Sequence, residues 1–272
     1  MWHRKRLSEK DALHELRILK LADQIDPDNL WHIGKAEVET KTGDAEGGVE
    51  WTLKFKNGGR PLTNIYLEKP DLIKSVMRNL GTLIHGIAEF NKGGLYHRDI
   101  KLDNIVYNPE GKVKVIDFGI SLDRLPDSAM DDTDLYENTY PIWPFETQVV
   151  STNKADIFSD DVYLAYTKNK YYVDITRFHR IDTTELCANI INLRRKHGND
   201  LELHQVITRC IDVYSCGVAV THLLTMKEIR DTLSPVTYKK IKLLCRRMVE
   251  PYTTMRISIA DAALKYRAAW DQ

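Results

Sequence analysis

Between Leu95 and Asn104 the chain reads LYHRDIKLDN, which sets His97, Arg98, Asp99, Lys101, Asp103 and Asn104 at fixed offsets between hydrophobic, strand-like segments. Thirteen residues past Asn104 stands Asp117-Phe118-Gly119. Carboxylate and amide oxygens are hard donors suited to a divalent cation, while ammonium and guanidinium groups offset spread negative charge. Any one of these side chains alone reads as a turn, a helix cap or solvated surface. Together they could act only if the surrounding elements aim them at one place.

Those elements are legible from periodicity. Ser8-Glu9-Lys10-Asp11 has capping-box form and Leu13, Leu16, Leu19 and Ala22 follow at three-residue steps, which predicts a helix over about 9–25, ended by Asp26-Pro27-Asp28-Asn29. Alternation over Trp31 to Thr40 and Val49 to Lys56, split by TGDAEGG, predicts two antiparallel strands, closed by NGGRPL. Pro70 opens an amphipathic helix with Leu72, Val76, Leu80, Leu83 and Ile87 on one face, stopped by Gly93-Gly94. IVY and KVKVI flank Asn108-Pro109-Glu110-Gly111 as a hairpin, which puts Asp117 at the end of its second strand. Beyond about residue 150 the pattern is helical, over 182–197, 210–226, 235–250 and 258–270. A small strand-containing part thus precedes a larger helical one, with the boundary expected at 57–62.

The 272 residues, 43% hydrophobic and 29% charged, suffice for one large or two modest lobes. The 39 basic and 39 acidic residues cancel, giving no electrostatic reason to expect a nucleic acid or an anionic membrane as main partner, so any phosphate recognition must be local. Cys187, Cys210, Cys216 and Cys245 show no CxxC spacing and read as reduced, mostly buried thiols. No apolar run approaches the roughly 18–20 residues needed to span a bilayer, and MWHRKRLSEK lacks the apolar middle of a secretory signal. A cytoplasmic protein is the expectation.

The order His-Arg-Asp-x-Lys-x-x-Asn, hairpin, Asp-Phe-Gly resembles the catalytic core of the eukaryotic-type protein kinase superfamily. The resemblance implies an α+β, bilobal fold with a reduced N-lobe sheet over 1–57 and a mainly helical C-lobe over 58–272. ATP would lie at their junction near residues 53 to 57, against Leu53 and Phe55. Phosphoryl transfer needs chiefly positioning and charge neutralisation. By resemblance, Asp99 would orient and deprotonate the hydroxyl of a protein substrate, Lys101 would neutralise the migrating group, and Asn104 and Asp117 would hold Mg2+. His97 would steady the loop by packing. Arg98 would pair with a phosphate on the following segment, with Ser128, Thr133, Tyr136 and Thr139 as acceptors, or else bond backbone carbonyls. Pro144-Phe145-Glu146 stands where the family closes that segment, Phe145 departing from its pattern. Glu146 would pair with Arg256, and Asp212 would clamp the catalytic loop. Lys101, two residues after Asp99, is similar to the Ser/Thr branch.

The resemblance also has gaps. No Gly-x-Gly-x-x-Gly loop precedes residue 8, and the glycines at 43, 47, 48, 58 and 59 read as turn residues. Glu15, in HELRILKL, resembles the family's helix Glu. Its candidate partner is Lys5, only ten positions earlier, which requires a strand running almost directly into the helix; the other reading of WHRKRL is a solvated basic terminus. About 65 residues separate Glu146 from Asp212, so an insertion at about 150–208 is expected, either binding a regulatory partner or merely embellishing the surface. The shortened kinases of large DNA viruses, with a WPFE-type closing motif, are similar. The expected function is a Ser/Thr protein kinase moving the ATP γ-phosphate to a protein hydroxyl with Mg2+. The alternatives are a pseudokinase or scaffold without the phosphate-covering loop, and a truncated copy of a longer enzyme. A small-molecule kinase of the aminoglycoside or choline type fits the Glu146 motif and the Asp212 helix less well.

Overall fold

Strand β1 (Trp2–Ser8) runs without a connecting residue into helix α1 (Glu9–Ile25), and Ser8 serves both. Its hydroxyl accepts the Asp11 amide at 3.2 Å, capping one of the amides a helix start leaves unpaired. The structure, a computed structural model, describes residues 2–34, 36–43, 49–127, 170–181 and 200–271.

β1 is one edge of an antiparallel sheet of order β1-β3-β2, with β2 at Glu37–Gly43 and β3 at Val49–Lys56. Register places Lys5 opposite Leu53 and His3 opposite Phe55. Because side chains alternate along a strand, Leu7, Lys5 and His3 share a face. On that face Ala12 of α1 packs with Trp51 and Leu53, flanked by Leu7, Leu16 and Phe55.

The strand expected from Trp31 begins only at Glu37. The reason lies in Asp26, the C-cap of α1, whose carboxylate accepts the amides of Leu30 and Trp31, each at 2.8 Å. That turn delivers residues 31–33 to a different strand, where His32 bridges Val115 in parallel.

A second sheet has order β4-β5-β6, from β4 (Arg60–Pro61), β5 (Ile105–Tyr107) and β6 (Val113–Val115). The NGGRPL segment therefore pairs with β5 instead of closing the first sheet. A 3-10 turn at Leu62–Leu67 leads into α2 (Pro70–Lys92), with Pro at its start. Ile73, Val76, Met77, Leu80, Leu83, Ile84, Ile87 and Phe90 are buried along it, each contributing on the order of 1.5–3 kcal/mol before entropic costs. Gly93 caps it and Gly94, at φ 85°, takes the left-handed turn. The β5–β6 turn closes through Gly111, at φ 74°, and through Asn108, whose side chain accepts the Lys112 amide at 2.9 Å.

The chain divides into two compact units, Met1–Arg124 and Leu125–Gln272, and the boundary expected at 57–62 falls inside the first. The second contains α3 (Lys170–His179), α4 (Asp200–Thr225), α5 (Lys227–Thr232), α6 (Pro235–Met248) and α7 (Ile259–Ala268). Ser234 and Ser258 cap α6 and α7. A Cβ at Gly217 would stand 2.7 Å from that of Met248, so α4 and α6 approach through that glycine. The helices expected over 235–250 and 258–270 lie close to α6 and α7, and that expected over 210–226 matches only the later part of α4, which starts at Asp200, whereas 182–197 lies outside the described residues. So do the acceptors Ser128, Thr133, Tyr136 and Thr139, the Pro144-Phe145-Glu146 motif, Cys187 and most of the expected insertion. Cys216 and Cys245 are buried free thiols. Among the described residues no helix is long and apolar enough to cross a membrane.

Candidate active site

The Lys5 ammonium lies 2.9 Å from Glu15 Oε2 and 2.7 Å from Asp117 Oδ1. Three elements meet there: the centre of β1, the inner face of α1 where Glu15 shares its row with Ala12, Leu19 and Ala22, and the residue pair after β6. Burial works against the Lys5 charge, but Glu15 and Asp117 outweigh it and hold its pKa above the ordinary value. Burial pushes the Glu15 carboxyl up, because its side chain is only 2% exposed and the attraction of Lys5 only partly offsets the loss of water. For Asp117, burial also favours the neutral form, yet the hydrogen bond and charge of Lys5 prevail and pull the carboxyl down.

A second group forms on the loop before β5. Lys101 Nζ reaches both Asp99 oxygens, at 2.9 and 2.8 Å. The Asn104 amide nitrogen donates to the Asp99 carbonyl at 3.0 Å and to its carboxylate at 2.6 Å. Both bonds use the nitrogen, which leaves the Asn104 amide oxygen as the group it can offer elsewhere. The Ile116 amide donates to the Asn104 carbonyl at 2.9 Å, tying this loop to the strand end that carries Asp117.

His97 packs in this frame. Its Nδ1 accepts the Asp99 amide at 3.2 Å, its carbonyl accepts the Ser121 hydroxyl at 3.0 Å, and its ring lies 4.7 Å from that of Phe118. Arg98 and Asp117 both take left-handed backbone conformations, at φ 67° and 66°. Residues other than glycine adopt these at a cost of order 1–3 kcal/mol, and they cluster where a fold must aim a side chain.

A cavity of about 520 Å³ in this first unit is lined by Lys5, Glu15, Phe55, Asn104 and Asp117. Leu53 is instead fully buried in the core between β3 and α1 and does not line it. Asp99 and Lys101 stand beside Asn104 and are also absent from the wall. His3, Ile33, Val106 and Ile116 also line it, although no motif marks them in the sequence, and Gly58 and Gly59, expected only as turn residues, belong to the same wall. A Cβ at Gly58 would meet Ile33 and Val106 at 2.8 Å, and Gly59, at φ 128°, runs against the Tyr107 carbonyl. Two adjacent glycines let backbone replace side chain on a cavity wall, a signal the sequence did carry. In the second unit, Asp212 is buried on α4, and Arg256 donates to the Glu250 carbonyl at 3.0 and 2.8 Å.

The donor set fits magnesium. Among the described residues no three His, Cys, Asp or Glu side chains gather as a metal site, and Mg2+ characteristically takes one or two carboxylates together with phosphate and water oxygens. Asp117, with 40% of its side chain exposed, and the Asn104 amide oxygen suit that role.

No protein-family model matches the chain. It is 33% identical over 125 residues to the serine/threonine-protein kinase Haspin homolog ALK1 of Saccharomyces cerevisiae, covering 46% of this chain and 15% of that one. To the serine/threonine-protein kinase Nek9 of Mus musculus it is 28% identical over 218 residues, 76% of this chain and 21% of that one. To the CBL-interacting protein kinase 17 of Oryza sativa it is 35% identical over 73 residues, 27% and 16% of the two chains. The chain thus spans about a fifth or less of the length of these relatives. All three are protein kinases by name, and over these spans the chain is similar to them.

Proposed function

We propose that the chain is a Ser/Thr protein kinase that transfers the γ-phosphate of ATP to a protein hydroxyl. The observation that carries this reading is the convergence of Lys5, Glu15, Asp117 and Asn104 on one cavity, with Asp99 hydrogen-bonded to Asn104. Lys5 binds the nucleotide phosphates, and Glu15 keeps its ammonium turned into the cavity. Asp117 and Asn104 would hold Mg2+, which when bound would supply charge neutralisation at the phosphate oxygens. Asp99 orients the acceptor hydroxyl and takes its proton, and Lys101 limits the charge that gathers beside it. Phe55 and the Gly58-Gly59 backbone line the cavity, and the base would lie against them.

The test is magnesium-dependent phosphate transfer from ATP to a generic basic protein, comparing the wild type with Asp117→Ala. Transfer by the wild type and background labelling by the variant are expected. Equal background labelling by both would favour the scaffold reading. Thermal stabilisation by nucleotide would then separate a nucleotide-binding scaffold from an inert one, since a ligand bound to the native state alone raises its stability.

A further inference from the structure

His32 is fully buried, and each of its ring nitrogens faces a carboxylate. Nδ1 lies 2.8 Å from Asp26 Oδ2 and Nε2 lies 2.9 Å from Asp23 Oδ1. A carboxylate oxygen only accepts, and a neutral imidazole has one N–H to give, so both contacts are hydrogen bonds at once only when both nitrogens carry hydrogen. A histidine that merely fills a core needs one such partner. Asp26 is buried against it and Asp23 partly so, which is costly unless the arrangement fixes something.

The surroundings are shaped for the clamp. Asp26 already accepts the amides of Leu30 and Trp31, and Gly34 leaves room for Asp23, since a Cβ there would stand 2.0 Å from its Oδ1. Lys114 also faces the group, donating to the Asn29 carbonyl and interacting with Asp26. Phe90 and Phe118 present ring edges to His32 at centroid distances of 5.6 and 6.0 Å.

The same residue is tied to the opposite side of the cavity. The Val115 amide donates to the Trp31 carbonyl at 2.8 Å, and the Ile33 amide donates to the Val115 carbonyl at 3.3 Å. Val115 lies two residues before Asp117, while Asp23 and Asp26 end the helix that carries Glu15. Lys5 then joins Glu15 to Asp117. His32 therefore closes a ring of contacts whose other closure is Lys5.

We propose that His32 is a positioning residue: clamped between Asp23 and Asp26 and paired through its backbone segment with Val115, it fixes the separation of Glu15 and Asp117 that Lys5 spans. The effect on nucleotide rests on the kinase reading; the clamp itself does not. The experiment uses the full chain and two readouts. By NMR, the wild type shows two exchange-protected ring N–H signals for His32, and these move on Glu15→Ala substitution. By calorimetry with Mg-ATP, His32→Gln weakens binding about tenfold in the wild-type background and less than about twofold in the Glu15→Ala background, the non-additivity expected of coupled residues. If His32→Gln does not fold, Asp23→Asn, which alters the less buried partner, carries the same cycle. A single ring N–H signal, or equal losses in both backgrounds, overturns the inference. A wild-type chain that binds no nucleotide sinks the kinase reading separately; the clamp then stands if the two ring signals respond to Glu15→Ala and falls if they do not.

Discussion

Lys5 and Asp117 are 112 positions apart in the chain and 2.7 Å apart in space, joined by an ion pair in which the same ammonium also holds Glu15. Removing the cation strands a buried acid. Lys5→Met is therefore expected to lower stability by about 1–3 kcal/mol, the cost of an unsatisfied buried polar group, and to abolish phosphate transfer. Adding Glu15→Gln should recover most of the stability and none of the activity. Thermal melts of the single and double variants check this, and identical melting would mean that the pair contributes nothing to the fold.

Asp99 and Lys101 lie beside Asn104 and off the cavity wall. Asp99→Asn should accordingly reduce kcat by about 10²–10⁴-fold, the range for a lost general base, while leaving KM for ATP nearly unchanged. Steady-state kinetics separate the two parameters. A large rise in KM with kcat preserved would assign Asp99 to binding instead.

Gly58 and Gly59 make different demands. Gly58→Ala presses on Ile33 and Val106, two cavity-wall residues, so a weaker affinity for nucleotide with little loss of stability is expected. Gly59→Ala must adopt φ 128° against the Tyr107 carbonyl, and should cost about 1–3 kcal/mol by backbone strain and overpacking. Denaturant unfolding and nucleotide titration distinguish them.

The second unit has a pH dependence of its own. His179 hydrogen-bonds Thr221 at 2.9 Å, and burial, together with the charges of Arg246 and Lys242, lowers its pKa from 6.5 to about 4. Between those values the unfolded chain binds the proton and the folded one does not, so stability falls as pH drops from about 6.5 to about 4 and is indifferent to this group above that window. The full effect is of order 3 kcal/mol. His179→Gln should flatten that part of the profile, and a wild-type and variant profile of equal slope would contradict the assignment.

The loop from His97 to Asn104, the hairpin and Asp117 were legible because residue types and turn signals agree at fixed spacing. Lys5 was harder. Its strand carries Arg4, Lys5 and Arg6, with Arg4 bonded to Glu39 of the other edge strand, so the apolar alternation that marks strands is missing. The expected start of a strand at Trp31 failed for another reason: the Asp26 side chain gathers two amides, four and five residues on, and a ring nitrogen six residues on, an arrangement that no local pattern encodes. Leu53 and Phe55 share a strand face, so parity alone could not tell that one ends in the core and the other at the cavity.

The junction at Ser8 leaves no slack between strand and helix. One residue gained or lost there would turn every helical position after it by about 100° and shift it by about 1.5 Å along the axis, swinging Glu15 off Lys5 while the sheet stayed intact. Length variation among natural or designed versions of this chain should thus be absent from this joint, and any lineage that acquired it would need a new acid elsewhere on the helix.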